Sequence, residues 1–196
     1  MLWKRRKYLD ATLGKKVGIL FSKLSLSPNK WTVLSLIFAL IMLYFLINGN
    51  FLIATVIFAF TAFIDMVDGA VARETKKVTK VGGYLDSIID RVIEFIIVLG
   101  LFLNSYPDFF LPIKIWLLFL LFGSFMSTYM RAAAFEKEVF KNLRGGVLEH
   151  TDRLIFFLII FIVSIFSLSY ASYLIVLMAI LANISALQRF LRAIKR

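Results

Sequence analysis

The stretch Ile64–Glu94 reads IDMVDGAVARETKKVTKVGGYLDSIIDRVIE and sets four aspartates, Asp65, Asp68, Asp86 and Asp90, in or beside two strongly apolar runs. An unpaired carboxylate in such surroundings costs several kcal/mol, so charges kept there point to function. Asp65 and Asp68 are i and i+3, and Asp86 and Asp90 are i and i+4. On helices each pair therefore shares a face, with side chains roughly 5–6 Å apart. Two helices joined by a short loop would bring all four carboxylates into one cluster. With only oxygen donors and no His or Cys nearby, the cluster suits Mg²⁺ or Mn²⁺ and suits zinc poorly. Four negative charges in a low dielectric repel one another, and a pair of divalent ions is the natural counter-charge. Gly69 and Ala72 leave room for a ligand against the helix backbone, and Arg73 offers a fork for phosphate or carboxylate. The expected substrate carries phosphate.

Outward from that stretch, the 196 residues are 61% hydrophobic with a mean hydropathy of +0.87. Such a chain is too apolar for a soluble globule and too long for a single anchor, so the fold class is an all-α polytopic membrane protein. Residues 2–24 carry Leu9, Leu13, Val17, Leu20, Phe21 and Leu24 at helical spacing among seven lysines and arginines. That pattern fits an amphipathic helix lying in the headgroup layer. No short apolar segment with a small-residue cleavage site follows the basic start, so this helix is expected to stay in the mature protein. Pro28 breaks it, and six apolar runs follow at about 31–48, 51–73, 82–104, 112–135, 153–168 and 171–191, each near a membrane-spanning length. The organisation is thus 1–30, the juxtamembrane helix and lead-in to the first span, and 31–196, a domain of six transmembrane helices. Small residues in the fourth run, Gly123, Ser124, Ser127 and Ala132 to Ala134, suit close helix packing.

Charge sets the expected orientation. Lys and Arg number 8 in residues 1–30, 4 in 73–81, 5 in 131–153 and 4 in 189–196, while the alternate loops are nearly bare. By the positive-inside rule both termini, the two basic loops and the aspartate cluster face the cytoplasm from the cell membrane. A net charge of +11 could signal nucleic acid in a soluble protein. Here the basic residues sit at the ends of apolar segments, where anionic lipid headgroups lie, and no nucleic-acid partner is expected. The chain has no cysteine, which leaves the redox compartment open.

The run Asp65 to Asp90 also fits D-x2-D-G-x2-A-R-x8-G-x3-D-x3-D, with Asp65, Asp68, Gly69, Ala72, Arg73, Gly82, Asp86 and Asp90 at every fixed position. In this it resembles the CDP-alcohol phosphotransferase family. The resemblance implies transfer of a substituted phosphate from a CDP-linked alcohol to a second alcohol with release of CMP. It further implies two Mg²⁺ (or Mn²⁺) ions per active site held by Asp65, Asp68, Asp86 and Asp90, with Asp90 also the general base, and a homodimer. Gly69, Arg73 and Thr79 are expected to contact the CDP-activated lipid, helped by Pro28, Asn29, Lys30 and Trp31, a segment similar to the family's SPN-x-V-T opening. The segments STYMRAAAF, GGVLEHTDRLIFF and ALQRFLRAIKR resemble the phosphatidylinositol phosphate and archaetidylinositol phosphate synthase branch. On that matching Arg131, Arg153 and Arg189 surround the phosphate of the acceptor, inositol phosphate. His150 stands where the branch has an arginine and is expected in a loop; it or Arg144 could take over a phosphate contact. Ala133 and Phe135 replace polar residues of the branch, so glycerol phosphate, serine or myo-inositol stay open as acceptors. A cation transporter would explain the carboxylates but not Gly69, Ala72 and Arg73 beside them, and the aspartate spacing differs from that of prenyltransferases.

Overall fold

A computed structural model describes residues 15–24, 26–139 and 145–194. Among them every extended element is a helix: α1 (15–22), α2 (Pro28–Ile47), α3 (Phe51–Glu74), α4 (Lys80–Phe102), α5 (Ile113–Glu136), α6 (His150–Phe166) and α7 (Leu168–Ile194). The six apolar runs become the six long helices, with ends shifted by at most three residues. Local chemistry sets those ends. Pro28, whose missing N–H would be unpartnered anyway, opens α2. Gly49, at φ +71°, closes it, with Gly49 N–H bonded to the Leu46 carbonyl and Asn50 N–H to that of Phe45. Thr79 accepts the Gly82 N–H at 2.9 Å and caps α4.

Among the described residues four helices, α2, α3, α5 and α7, are long and apolar enough to cross a membrane by themselves. The other two fall short for physical reasons. Helix α4 carries Asp86, Asp90, Arg91 and Glu94 within its length, and α6 has 17 residues, the shortest of the six. Crossing the hydrocarbon core takes about 20 residues.

The chain divides into two compact units, one built from residues up to Met42 with Val56–Ile96, the other from Leu43–Thr55 with Ile97 onward. In the first, Trp31, Ile64, Val67 and Val71 form a buried cluster against Val17, Phe21, Leu34, Phe38 and Phe63. Helix α1 seats on this cluster through Gly18, where an added Cβ would come within 2.7 Å of the Ala70 carbonyl oxygen. Only glycine allows that approach. Lys15, Lys16, Ile19, Leu20 and Lys23 are left exposed, the mixture of basic and apolar groups expected of a headgroup-layer helix. The first part of that expected helix, residues 2–14, lies outside the described residues.

In the second unit α7 packs on α5 and α6. Gly123 admits the α7 backbone, since a Cβ there would lie 2.8 Å from Asn183 N. Asn183 Nδ2 then donates to the carbonyls of Phe119 at 2.9 Å and Ala179 at 2.8 Å. Ser124, Ser127 and Ala134 are buried as the small-residue pattern predicts, but Ala132 is exposed. It falls on the far face of α5, outside the packing stripe.

Candidate active site

Helices α3 and α4 deliver the aspartates. Carboxylate oxygens of Asp65, Asp68 and Asp86 all lie within 4.8 Å of one another. Asp90 is close enough to Asp65 for the two carboxyls to hydrogen-bond. The expected cluster of four is a group of three, Asp65 and Asp68 from α3 and Asp86 from α4, brought together across the short loop Thr75–Thr79, with Asp90 beside Asp65 but outside that group. Lys76 in that loop takes φ +53°, with its N–H on the Arg73 carbonyl and the Lys77 N–H on that of Ala72. The turn ends α3 one residue past Arg73.

The chemistry of the donor set fits a hard divalent cation. Asp65 Oδ1 is buried with no hydrogen-bond partner among the described residues, a costly state for a carboxylate oxygen unless a cation meets it. Asp68, 6% exposed, has one oxygen oriented by the hydroxyl of Thr32 on α2. Thr32 was not among the expected site residues, although it ends the SPN-x-V-T-like segment. Supports of this kind typically affect metal affinity about 10- to 100-fold. Thr32→Val, which keeps the shape and removes the donor, is therefore expected to weaken Mn²⁺ binding by about 10-fold or more in a direct titration of the purified protein.

Beside the cluster lies a pocket of about 290 Å³. Its walls include Pro28, Asn29, Thr32, Asp68, Gly69, Arg73, Thr79, Gly82 and Asp86. Of the expected donor contacts, the structure brings Pro28, Asn29, Gly69, Arg73 and Thr79 together here. It does not bring Lys30 or Trp31. Trp31 is 6% exposed and turned into the apolar cluster, edge-on to Phe21 at 5.5 Å, while Lys30 is exposed off the pocket wall. On a helix the segment's successive residues point different ways, and only Pro28, Asn29 and Thr32 share the pocket face. The missing side chain of Gly69 makes room for Arg73, whose Nη1 would lie 3.2 Å from a Cβ there. A Cβ at Gly82 would lie 3.0 Å from Thr79 Oγ1 and 3.2 Å from Asn29 Oδ1. Lys77 and Gly83 also line the pocket, and nothing in the motif spacing marks them.

The three arginines assigned to the acceptor belong to the second unit. Arg153 and Arg189 are 2% and 5% exposed and meet at Ser127. Arg153 Nη1 donates to Ser127 Oγ at 3.4 Å, and Arg189 Nη1 to the Ser127 carbonyl. Arg131, exposed, and Arg153 are both near enough to Arg189 for their charges to act on it, as is Glu149. Arg189 Nε is buried with no partner among the described residues. His150, expected in a loop, instead opens α6, after Glu149 N–H bonds to Asp152 Oδ2 at 3.0 Å. The capping pair starts the helix three residues before the apolar run begins. Arg144 lies outside the described residues.

The family model for CDP-alcohol phosphatidyltransferase matches residues 25–186, a span that holds the aspartate cluster, its pocket and two of the three arginines. The chain belongs to the CDP-alcohol phosphatidyltransferase family. A curated relative, the archaetidylinositol phosphate synthase of Pyrococcus horikoshii, is 36% identical over 196 residues, covering 100% of this chain and 98% of that one. The crystal structure of Mycobacterium tuberculosis phosphatidylinositol phosphate synthase with CDP-DAG bound matches at a TM-score of 0.80 and 25% identity, covering 94% of this chain and 98% of that one. The same enzyme in complex with manganese and citrate matches at a TM-score of 0.80 and 24% identity, covering 93% and 92%, a likeness of fold. This family member is accordingly a multi-pass membrane transferase of phospholipid biosynthesis, a CDP-alcohol phosphotransferase similar to the synthases that make inositol phosphate lipids.

Proposed function

We propose that the protein transfers a phosphatidyl or archaetidyl group from a CDP-activated lipid to inositol phosphate, with release of CMP. The observation that carries this reading is the convergence of Asp65, Asp68 and Asp86 beside a pocket lined by Arg73. A diphosphate needs both counter-charge and a fork of donors, and this corner supplies them. The relatives' names support the acceptor, and the bound CDP-DAG of the mycobacterial enzyme supports the donor.

In this reading Asp65, Asp68, Asp86 and Asp90 hold two Mg²⁺ or Mn²⁺ ions, whose chemistry is to neutralise the diphosphate and the charge that develops on departing CMP. Thr32 keeps Asp68 turned toward the cluster. Arg73 and Asn29 orient the CDP portion, and Gly69 and Gly82 let it approach the backbone. Asp90 accepts the proton of the acceptor hydroxyl as its oxygen forms a bond to the lipid-bearing phosphorus; the anhydride bond to CMP breaks in line. Arg131, Arg153 and Arg189 bind the acceptor's phosphate dianion. All six long helices span the membrane, α4 because its charged residues face protein and a water-filled site, and the positive-inside rule puts that site on the cytoplasmic side.

The test is an acceptor panel. Full-length protein in lipid with Mg²⁺ and either CDP-diacylglycerol or its ether analogue is expected to release CMP at least about 10-fold faster with inositol phosphate than with myo-inositol, glycerol phosphate or serine, because a site built for a phosphate is left with unpaired charge when it is missing. Equal rates with free inositol would remove the phosphate requirement, and with it the role of the three arginines.

A further inference from the structure

Glu94 is a buried carboxylate that the proposed reaction does not use. It is 1% exposed and lies on α4 at i+4 from Asp90 and i+8 from Asp86, so three carboxylates share one stripe of the helix. The third lies about one turn deeper than the base, roughly 6 Å along the axis. It has no place in the metal cluster, which among the described residues comprises Asp65, Asp68 and Asp86. What it holds is Arg91. Arg91 Nη1 meets Glu94 Oε2 at 3.0 Å, and Arg91 Nη2 meets Asp90 Oδ2 at 3.4 Å.

A buried ion pair adds little stability over apolar residues of the same volume, so stability alone does not account for keeping one here. The geometry gives a reason. A guanidinium presents its donors in a fixed plane, and Glu94, by taking one end at the shorter distance, anchors that plane and leaves the other end only lightly on Asp90. Freed from Glu94, the same arginine would close on Asp90 with two parallel hydrogen bonds, the arrangement it favours with a lone carboxylate. A carboxylate so engaged is turned to the guanidinium and away from the acceptor hydroxyl whose proton it would take.

We infer that Glu94 is a positioning residue, acting through Arg91 to hold the Asp90 carboxylate in place and available for proton abstraction. The inference rests on the reading of Asp90 as general base.

The experiment uses full-length protein in lipid with CDP-diacylglycerol, inositol phosphate and Mg²⁺, and the same assay at saturating Mn²⁺. Glu94→Gln is expected to lower kcat for CMP release by about 10-fold or more, the size found for outer partners of site carboxylates. Both KM values are expected to stay within about 2-fold, and the kcat loss is expected to persist at saturating Mn²⁺, since the substrate contacts and Asp65, Asp68 and Asp86 are untouched. Glu94→Asp, which keeps the charge, should recover part of the rate. The double variant Glu94→Gln/Arg91→Gln should be no slower than Glu94→Gln alone, because the arginine that closes on the base is gone. A Glu94→Gln enzyme with unchanged kcat, a kcat loss that saturating Mn²⁺ restores, no recovery with Glu94→Asp, or additive losses in the double variant would each overturn the inference. Asp90→Asn run alongside separates the two readings: CMP release that survives it removes Asp90 as base and this inference with it, whereas a dead Asp90→Asn beside a fully active Glu94→Gln sinks the inference alone.

Discussion

Asp90→Asn is expected to reduce CMP release from CDP-lipid and inositol phosphate by about 10²- to 10⁴-fold, the usual contribution of a positioned general base. Asparagine keeps the shape of the side chain and can still receive the Arg91 contact, now at 3.4 Å from the carboxylate, but it cannot accept a proton. The neighbouring Asp65 is not expected to substitute, because in the proposed reading it holds metal together with Asp68 and Asp86. Asp90 is also expected to hold metal, so the assay belongs at saturating Mg²⁺, where a loss through weakened metal binding would be recovered and a loss of the base would not. Full activity at high Mg²⁺ would show that the proton leaves by another route.

Arg153→Lys is expected to raise the KM for inositol phosphate by roughly 10- to 100-fold, from the loss of one charge-assisted hydrogen bond worth about 1.5–3 kcal/mol. The KM for CDP-lipid should move by less than about 3-fold, because the substitution removes a uniform contact to one substrate only. Lysine retains the charge but not the planar fork at this position, which is 2% exposed. Arg131→Ala, at an exposed position on the α5 end, should move the two constants in the same direction with no change in melting temperature. A rise in the donor KM instead would reassign these arginines to the CDP-lipid.

Much of the molecule was legible beforehand because membrane helices are written in composition. Long apolar runs must form helices in lipid, where no other segment satisfies its own backbone, and Asn48–Gly49 and Pro28 mark ends that the structure reproduces. The aspartate pairs were equally legible, since i, i+3 and i, i+4 spacings act within one helix. Lys30 and Trp31 show where such reading stops. A motif names consecutive residues, but a helix distributes them around its axis, and Trp31 turns to the Phe21 and Val67 cluster while Pro28, Asn29 and Thr32 face the pocket. His150 lies in α6 and not in the loop expected for it, because the bond from Glu149 N–H to Asp152 starts the helix early.

The sequence by itself determined the family, the helical membrane architecture and the identity of the four aspartates, because each depends on residue type and on spacing along one chain segment. Only the tertiary structure decided that Thr32 orients Asp68 from 36 residues away, that Arg153 and Arg189 meet at Ser127, and that Arg91 meets both Glu94 and Asp90. The first two contacts join residues far apart in sequence on different helices. The third depends on side-chain rotamers within one turn, which spacing permits but does not choose.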